Sequence, residues 1–337
     1  MTKKPVVIIP NLNGGNELLE AVRSLESQTL IPHIIVVDNA STDSSIEMLT
    51  QAHPLVEIIR NDRNYGYAGG VNPGFKRAID NDAKYAAPFN DDAVADAEWL
   101  EKLVHFLDAN NEYGAACCKV LKEDKTIDST GEFLTNWGLP FPRGRDEADS
   151  GQYDENTDIP APSGAASLFR VQALRQVGLF DEGFFAYYED IDLGLRLQLA
   201  GWKVGFVPEA KVYHKVGMTS GRVKGFTTLQ TMKNGPLLIW KNLSVRQLLH
   251  IWPRFCIAHF FFFWRAVSRG QGWPALKGAL LSLALSIKKI PERARIRSSK
   301  KVSDEYIWSM VIHDLPPNAQ ALRSLRKRWW KLIGKNA

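Results

Sequence analysis

The chain of 337 residues is predicted to be an α/β protein with a doubly wound sheet, followed by a helical and basic C-terminal region. Two observations predict the sheet: short apolar runs alternate with segments of helical spacing, and the runs end in polar residues rich in Asn, Asp and Gly. A third observation predicts the C-terminal region, because the chain beyond Leu243 changes to long apolar segments interspersed with Trp, Lys and Arg.

The strands are predicted from apolar runs with few polar interruptions, as is typical of parallel strands buried on both faces. Runs of this kind occupy Pro5–Pro10, His33–Asp38, Val56–Arg60, Tyr85–Phe89 and Gly114–Val120. Helical spacing occupies Glu17–Gln28, Ile46–Ala52 and Trp99–Leu107. This order predicts right-handed crossovers, so the carboxyl ends of the strands are expected to face a ligand.

A glycine-rich stretch, Gly66–Gly74, follows the third predicted strand. A dinucleotide fold would carry such glycines directly after the first strand, where Asn11–Asn16 does not supply them. We therefore predict that the glycines let the backbone approach a nucleotide, or turn tightly, before a short helix at Phe75–Ile79. A plain loop is the alternative interpretation.

Three polar residues, Asn90, Asp91 and Asp92, directly follow the fourth predicted strand. Carboxylates at such a strand end face the ligand crevice and are expected ligands for Mg²⁺ or Mn²⁺, because these ions prefer oxygen donors. The bound cation would offset the charge of a diphosphate. Two adjacent acids in a loop are also ordinary, so this pattern alone leaves both interpretations open.

The stretch Phe184–His214 carries Glu189, Asp190 and Asp192 directly after a group of aromatic residues. A carboxylate beside an aromatic wall is poorly solvated, which raises its pKa and suits it to accept a proton from a hydroxyl group. The same acids would also suit the first turn of a helix. The apolar positions from Ile191 alternate as in a strand but fit a short helix equally well.

Two further segments are predicted to be loops around a binding site. Ser129–Pro162 is rich in Gly, Pro, Asp and Thr and is expected to form an acceptor rim or a lid, leading to a strand at Ser163–Arg170. In the basic, glycine-rich stretch Gly217–Gly225, Arg222 or Lys224 could close over a diphosphate.

The net charge of +5 is unevenly distributed along the chain. Residues 287–337 contain 13 Lys/Arg and 4 Asp/Glu, so residues 1–286 carry 29 Lys/Arg against 33 Asp/Glu. This distribution points to a local anionic surface and argues against a protein that coats nucleic acid. The apolar runs Leu248–Val267 and Trp273–Ile287 are too short or too interrupted to span a bilayer. We predict helices, including Arg323–Lys331, that lie in an anionic membrane interface; packing on the rest of the chain or on a partner subunit is the alternative.

The three cysteines, two of them adjacent at Cys117 and Cys118, show no metal-ligand spacing and little scope for a disulfide. This usage is typical of a reducing compartment. The N-terminus has too few apolar positions before Asn11 for a signal-peptide core, so we expect a cytoplasmic protein that begins with its first strand.

Six motifs that occur in order carry a family resemblance. They are VVIIPNLNG, VVDNASTDSS, RNYGYAGGVNPG, FNDDA, SGAASLFR and GLFDEGFFAYYEDIDLGLRLQLAGWKVGFVPEAKVYH. Together they resemble glycosyltransferase family two, inverting enzymes with the GT-A fold, and within it the rhamnosyltransferase-like and galactofuranosyltransferase-like branch. The resemblance implies a GT-A catalytic domain at residues 1–242, with a Rossmann-like mixed sheet and helices on both faces, and an amphipathic helical region at residues 243–337.

The resemblance also implies the site, residue by residue. Asp190 falls on the catalytic base. Asp92 falls on the metal ligand, because Asn90 replaces the first acid of the family's DxD motif, and His214 matches a distal histidine that completes the metal site in some relatives. The donor-binding positions are Pro10, Asn11, Asp38, Gly69, Gly70, Asn72 and Asp91. Acceptor-binding roles fall to Tyr188, Glu189 and Asp192, with helix capping as the alternative for the two acids.

The function that the resemblance implies is sugar transfer from a nucleoside-diphosphate donor to a glycan hydroxyl group. Deoxythymidine diphosphate rhamnose is the lead expectation for the donor, and a uridine diphosphate sugar is the next. The excess of Lys and Arg in residues 287–337 favours a lipid-linked acceptor at the inner face of the cytoplasmic membrane, in cell-surface polysaccharide synthesis. The alternatives are a non-catalytic scaffold that binds sugar nucleotides or membranes, and a sugar nucleotidyltransferase; association into a homo-oligomer is left open.

Overall fold

The computed structural model describes residues 3–215, 223–317 and 319–332. It confirms the predicted α/β architecture, with a mixed sheet between helices and a helical C-terminal region. The strands are β1 (Val6–Asn11), β2 (His33–Asp38), β3 (Glu57–Arg60), β4 (Tyr85–Pro88), β5 (Ala93–Ala95), β6 (Tyr113–Lys122), β7 (Ile127–Ser129), β8 (Glu132–Leu134), β9 (Pro140–Pro142), β10 (Leu168–Arg170) and β11 (Lys203–His214). The helices are α1 (Gly15–Glu26), α2 (Ser45–Ala52), α3 (Gly66–Asp80), α4 (Trp99–Ala109), α5 (Val171–Val177), α6 (Glu189–Leu199), α7 (Phe226–Asn242), α8 (Val245–Ser268), α9 (Gly272–Lys288), α10 (Ile290–Ser298), α11 (Asp304–Ser309) and α12 (Gln320–Leu332).

Within the described residues, nine strands form one sheet in the order β3-β2-β1-β4-β10-β6-β11-β5, and β7 pairs with β6. Strands β3, β2, β1 and β4 are parallel, whereas β10 runs antiparallel between β4 and β6. In the parallel half, Asn11 aligns with Asp38, and Asp38 aligns with Arg60. The polar ends of these strands therefore lie side by side, as the order of the elements predicts.

Alternate residues of the central strands reach opposite faces of the sheet, and helices cover both faces. Val7 and Ile9 of β1 pack with α1, α2 and α4 on one face. Val6 and Ile8 pack with α3, α5 and α6 on the other face. Burial on both sides leaves few positions for polar residues in these strands, which explains their uninterrupted apolar runs.

The glycine-rich stretch is part of a helix, so the prediction of a helix confined to Phe75–Ile79 was wrong. Helix α3 begins at Gly66, and its glycines permit close packing against the sheet. A Cβ atom added at Gly74 would stand 2.4 Å from Ile8 Cγ2, a separation that real side chains do not adopt. Gly74 therefore serves helix-to-strand contact, which the sequence pattern did not distinguish from a loop.

The segment after Glu189 is helix α6, which decides between the two interpretations left open by its apolar pattern. Leu193 and Leu197 pack into the cluster under the sheet, whereas Ile191 and Leu195 pack into a second cluster with the C-terminal helices. A helix that is buried on both sides carries apolar residues all round, and here they happen to alternate as in a strand.

Two other predicted elements differ from the structure. The long segment predicted as a loop contains a small hairpin, because β8 pairs with β9 through Glu132 and Pro142. The strand predicted at Ser163–Arg170 exists only at its end, in β10. Its first half turns instead, and the Ser167 hydroxyl group donates to the Ser163 carbonyl oxygen at 2.6 Å.

The C-terminal helices share a core with α6. Ile191 of α6, Leu237 of α7, Ile251 of α8 and Ile296 of α10 belong to one buried cluster. The predicted boundary between residues 242 and 243 thus falls within continuous apolar packing. Among the helices that the structure describes, none is both long and apolar enough to cross a bilayer.

A buried ion cluster ties these helices to α6. Lys241 of α7 is fully buried, and its Nζ lies 2.7 Å from Asp181, 3.0 Å from Asp192 and 2.8 Å from Glu292 of α10. Lys289 pairs with the same Asp181 at 2.6 Å. Although burial opposes ionisation, the two lysines hold the pKa of Asp181 well below its usual range.

Replacing Lys241 tests the importance of this cluster. Lys241→Ala would leave three carboxylates without their central cation, and breaking such a buried pair costs about 3–5 kcal/mol of unfolding free energy. We expect a lower denaturant midpoint and a lower Tm. Lys277→Ala, at an exposed lysine on α9, is the matched control and should leave both unchanged. Equal midpoints for the two variants would contradict a structural role for the cluster.

Candidate active site

The loops that follow β1 and β2 are braced against each other by buried side chains. Asn11 donates from Nδ2 to Ser41 Oγ (2.9 Å) and Ser45 Oγ (3.2 Å), and its Oδ1 accepts from the Gly14 N–H (3.1 Å). Asp38 Oδ1 accepts from the Ser41 N–H at 2.9 Å. Two of the predicted donor-binding residues, Asn11 and Asp38, are therefore joined through Ser41 into one hydrogen-bonded wall at the carboxyl ends of β1 and β2.

The structure brings only some of the other predicted donor-binding residues to this wall. Pro10 precedes Asn11 at the end of β1, and Gly70 lies against it, because a Cβ added at Gly70 would stand 3.0 Å from Pro10 Cβ. Asn72 instead donates to Glu182 Oε1 at 2.9 Å, and a Cβ at Gly69 would stand 3.9 Å from Glu182 Cγ. Gly69 and Asn72 thus face the segment that precedes α6.

The two predicted loop cations have different outcomes. Arg222 lies outside the described residues, and Lys224 is exposed in the turn that leads into α7. The ring of Phe226 at the start of α7 lies 6.1 Å from the rings of Phe185 and Tyr187. Lys224 therefore comes two residues before Phe226, whose ring contacts the aromatic segment that precedes Asp190.

Asp91 and Asp92 occupy the turn after β4. Asp91 also lies beside the first loop, because a Cβ at Gly14 would stand 3.0 Å from Asp91 Oδ2. Burial and the charge of Asp92 raise the pKa of Asp91 to about 7. A cation bound nearby would lower this pKa and favour the ionised form of Asp91.

His214, at the end of β11, connects this turn to a third carboxylate. Strand β11 pairs with β5 so that His214 lies opposite Ala93. Its Nε2 lies 2.9 Å from Asp92 Oδ1, and its Nδ1 lies 3.0 Å from Asp128 Oδ2. Although burial disfavours the charged ring, the two carboxylates raise the pKa of His214 to about 9. Asp128 also pairs with Arg145 at 3.0 Å, and no sequence pattern singled it out.

These residues fit a divalent cation, although the described part of the chain contains no group of three or more potential protein ligands. Asp92 Oδ1 and His214 Nε2 are 2.9 Å apart. A carboxylate oxygen and an imidazole nitrogen are both donors that Mn²⁺ accepts. A carboxylate on Nδ1, here Asp128, is the usual partner of a metal-binding histidine. The protein could supply two adjacent ligands and leave the other positions to a diphosphate and water.

Asp190 lies in the first turn of α6, and the residue is half-buried. Its Oδ2 accepts from the Gly164 N–H at 2.9 Å, and its Oδ1 accepts from the Ile191 N–H at 2.8 Å. Burial raises the pKa of Asp190, and these N–H groups oppose the rise. The carboxylate thus has a fixed orientation and an increased affinity for a proton, as a general base requires.

The segment that begins at Ser163 joins Asp190 to the acidic turn. Gly164 binds Asp190, and the carbonyl oxygen of the next residue accepts from the Asn90 N–H at 2.9 Å. Tyr67 of α3 donates its hydroxyl hydrogen to the Gly164 carbonyl oxygen. Burial raises the pKa of Tyr67 well above its ordinary value, and carboxylates of both acidic groups add to the rise. Tyr67 therefore lies between the two groups, a position that its sequence context did not reveal.

Two carboxyl groups and a phenol surround Asp190. Glu189 and Glu132 are buried, and burial together with the charge of Asp190 raises the pKa of each to about 8. Tyr188 is half-buried, and burial and the charges of Glu132 and Asp190 raise its pKa as well. Glu132 comes from β8, in a segment that the sequence predicted only as a rim or lid.

Asp192 belongs to the scaffold of α6. It is fully buried, and its carboxylate lies 2.8 Å from Arg196 Nε, 3.0 Å from Lys241 Nζ and 2.8 Å from Asn242 Nδ2. This burial leaves no surface of Asp192 for an acceptor in the structure. Its part in the site is to anchor the helix whose first turn carries Asp190.

The aromatic turn before α6 has a strained backbone. Phe185, Tyr187 and Tyr188 have φ values of 64°, 69° and 72°, in the left-handed region that side chains of this size rarely adopt. Each such residue costs about 1–3 kcal/mol, so the surrounding structure must hold the turn in place. Strain of this kind is frequent where a protein orients reacting groups.

Helix α7 holds this turn through its buried polar residues. Asn234 Nδ2 lies 3.0 Å from the Phe184 carbonyl oxygen and 2.8 Å from those of Ala186 and Tyr187. Lys233 Nζ donates to the Phe184 carbonyl oxygen at 3.0 Å. These contacts join residues that are far apart in the chain, so no local pattern could have predicted them.

A mixed sheet of this order, with an acidic turn after β4 and a carboxylate at the start of α6, defines a glycosyltransferase with a GT-A-like fold. The chain belongs to glycosyl transferase family 2, whose family model matches residues 6–178. The family that the six motifs predicted is therefore confirmed.

Two relatives agree with the predicted rhamnosyltransferase-like branch. The chain is 30% identical over 243 residues to the N-acetylglucosaminyl-diphospho-decaprenol L-rhamnosyltransferase of Mycobacterium tuberculosis, which covers 66% of this chain and 79% of the relative. It is 24% identical over 253 residues to the dTDP-rhamnosyl transferase RfbF of Shigella flexneri, which covers 71% of this chain and 81% of the relative.

The fold is similar to that of the mannosyltransferase PcManGT from Pyrobaculum calidifontis, solved in complex with GDP-Man and Mn²⁺. The TM-score is 0.54 at 14% sequence identity, and the match covers 98% of this chain and 88% of that chain. This likeness confirms the predicted fold class.

Removing the side chain that holds the strained turn should impair turnover. In Asn234→Ala the turn loses its three contacts, so Asp190 is expected to move from its position and kcat to fall about tenfold to 100-fold. The KM for the donor should change little, because Asn11 and Asp38, two of the predicted donor-binding residues, lie on other loops. Steady-state assays of donor turnover, with Tm measured in parallel, provide the test.

The matched control is Gln230→Ala, at a buried amide on the same helix whose Oε1 has no hydrogen-bond partner within the described residues. Its kcat should remain close to that of the wild type. A wild-type kcat for Asn234→Ala, or equal losses in both variants, would show that Asn234 does not position the turn.

The raised pKa of Glu189 predicts a pH-dependent stability. The folded protein keeps Glu189 protonated up to about pH 8, whereas the ordinary glutamate pKa is 4.5. The folded state therefore binds more protons in this window, and its stability falls as the pH rises through it. Glu189→Gln cannot ionise, so its Tm should exceed that of the wild type above pH 8 and match it near pH 4.5. Glu47→Gln, at an exposed glutamate, should show no such divergence; parallel Tm profiles for all three proteins would refute the expectation.

Proposed function

We propose that the protein transfers L-rhamnose from dTDP-rhamnose to a hydroxyl group of a lipid-linked glycan, with inversion at the anomeric carbon. The names of the two relatives support this donor and this acceptor class. A uridine diphosphate sugar is the next candidate donor. The observation that carries the proposal is the Asp190 carboxylate, which two backbone N–H groups orient and one short segment joins to the acidic turn.

In this proposal Asp190 is the general base. The acceptor oxygen bonds to the anomeric carbon while its proton passes to Asp190. The bond from that carbon to the diphosphate oxygen breaks on the opposite face, and the nucleoside diphosphate leaves with the electron pair. One displacement of this kind inverts the configuration. The raised pKa of Asp190 favours its acceptance of the proton.

Tyr188 and Glu189 are the proposed acceptor contacts. They are the two residues before Asp190 in the chain, and Glu189 Oε2 is buried with no hydrogen-bond partner among the described residues. An acceptor hydroxyl group could satisfy this oxygen. Glu132 is buried and interacts electrostatically with Asp190, and its pKa is raised to about 8.

On the donor side, Asp92 and His214 would hold Mg²⁺ or Mn²⁺, which would stabilise the negative charge on the leaving diphosphate. Asp91 adjoins both this pair and the first loop, so it is placed to contact the donor. The nucleotide would lie along the wall formed by Pro10, Asn11, Asp38 and Gly70.

We place this reaction at the inner face of the cytoplasmic membrane, in cell-surface polysaccharide synthesis. A lipid-linked acceptor is held at a membrane, and the uneven charge of the chain favours an anionic surface over nucleic acid as its partner.

A panel of nucleotide sugars, tested with and without Mn²⁺, checks the proposal. We expect dTDP-rhamnose with Mn²⁺ to raise the Tm of the wild type, because a ligand that binds only the folded state stabilises it. Asp92→Ala should lose the metal-dependent part of this rise. Asp190→Asn should keep it but lose about 10²–10⁴-fold in turnover, the usual contribution of a general base.

The matched control is Asp80→Asn, at an exposed carboxylate at the end of α3, which should bind and turn over as the wild type does. Stabilisation by a different nucleotide sugar would replace the proposed donor. If no nucleotide sugar binds, with or without Mn²⁺, the catalytic proposal fails and a membrane-binding scaffold becomes the better description.

A further inference from the structure

Helices α8 and α9 each present an apolar stripe to solvent. On α8 the exposed large apolar residues are Val245, Leu249, Trp252, Ile257, Phe260, Trp264 and Val267, which lie along one side of the helix. On α9 they are Trp273, Leu276, Leu280, Leu281, Leu283 and Ile287, and all of them except Leu281 follow alternating spacings of three and four residues. Single exposed apolar residues are ordinary, but stripes of this length mark an interaction surface.

The opposite faces of both helices pack on α7. A Cβ at Gly278 of α9 would stand 2.5 Å from the Leu229 carbonyl oxygen of α7. Met232 of α7, Ala266 of α8 and Ala275 of α9 share one buried cluster. Because both helices rest on α7 and on each other, their exposed stripes form one face that points away from it. We call this surface the α8–α9 face.

The charged side chains of α8 and α9 are all basic. Residues 245–289 contain seven Lys/Arg and no Asp/Glu. Arg254, Arg265 and Lys277 among them are exposed. A second copy of the chain would bring like charges together on this face. An anionic lipid layer instead offers headgroups to the cations and an apolar interior to the side chains of the stripes.

The α8–α9 face begins beside the active site. A Cβ at Gly225 would stand 2.7 Å from Pro274 Cγ at the start of α9. The next residue, Phe226, has its ring 6.1 Å from that of Phe185 in the strained turn. Trp273, which is exposed, therefore lies at the end of the face that adjoins the turn leading to Asp190.

We propose that the α8–α9 face docks on the anionic leaflet of a bilayer and turns the active site towards a lipid-linked acceptor. The purpose of this contact rests on the proposed function. The surface is narrower than the sequence-based expectation, which included the basic segment Arg323–Lys331. In the structure, Arg323 pairs with Asp314 at 2.9 Å and Arg326 pairs with the same carboxylate at 2.5 Å, so these cations are engaged within the protein.

Vesicle binding by the full-length protein tests the proposal without donor or acceptor. Wild type should bind vesicles that contain phosphatidylglycerol and lose binding as NaCl is raised. Leu280→Glu combined with Leu283→Glu removes two exposed apolar groups and adds two negative charges, so binding should weaken at least about tenfold. Replacing Arg254, Arg265 and Lys277 by Gln should weaken binding about 100-fold, at about fivefold for each cation.

The matched control is Leu55→Glu, at a leucine that is 92% exposed between α2 and β3, and its vesicle binding should equal that of the wild type. Unchanged stabilisation of the double variant by a nucleotide sugar would show that its fold and donor site are intact. Wild-type vesicle binding by the double variant would overturn the proposal. So would binding to phosphatidylcholine vesicles that is equally strong and insensitive to salt.

Light scattering tests whether a second copy of the chain, rather than a membrane, covers the α8–α9 face. A dimeric wild type that becomes monomeric in the double variant would assign the α8–α9 face to a second copy and overturn the membrane proposal. Failure of every nucleotide sugar to bind, with vesicle binding intact, would instead overturn the proposed function and leave the docking surface supported.

Discussion

The arrangement of the active site depends on the buried ammonium group of Lys241. A lysine removed from water is stable only where carboxylates surround it, and Asp181, Asp192 and Glu292 do so here. These acids come from the segment before the strained turn, from α6 and from α10. One cation therefore fixes the turn, the helix that carries Asp190 and the C-terminal helices relative to one another. Asp192, only two residues after Asp190, transmits that constraint to the proposed base.

The acids of the site are divided into two groups with different electrostatic surroundings. Asp92 and Asp128 lie on either side of His214 and stabilise the positive charge of its ring. In the proposed function, a divalent cation would take the place of the proton on His214 Nε2. Burial raises the affinity of Asp190 for a proton, whereas its backbone N–H partners oppose the rise and fix its orientation. Tyr67 lies between the groups. In the proposed function, this separation assigns charge stabilisation to one group and proton transfer to the other.

The C-terminal helices help to build the site that they follow in the chain. The matched family segment ends at residue 178, whereas Asn234 of α7 holds the strained turn and Glu292 of α10 completes the ion cluster. The strain in the turn persists because these contacts over-determine its backbone. The same helices expose the apolar and basic α8–α9 face. A helical region that positions the proposed base and also presents a surface to lipid would link acceptor supply to the geometry of transfer.

The sequence by itself determined the alternating strands and helices of the parallel half of the sheet, the polar residues at the strand ends and the family. These features depend on local patterns, because burial on both faces of the sheet removes polar residues from its strands and the motifs are contiguous. The tertiary structure alone decided that the glycines after Gly66 form a helix against β1, and that Asp192 is buried in an ion cluster. It alone added Tyr67, Asp128, Glu132 and Asn234 to the site. Each of these outcomes depends on burial and charge pairing between distant segments, which neighbouring residues in the chain do not encode.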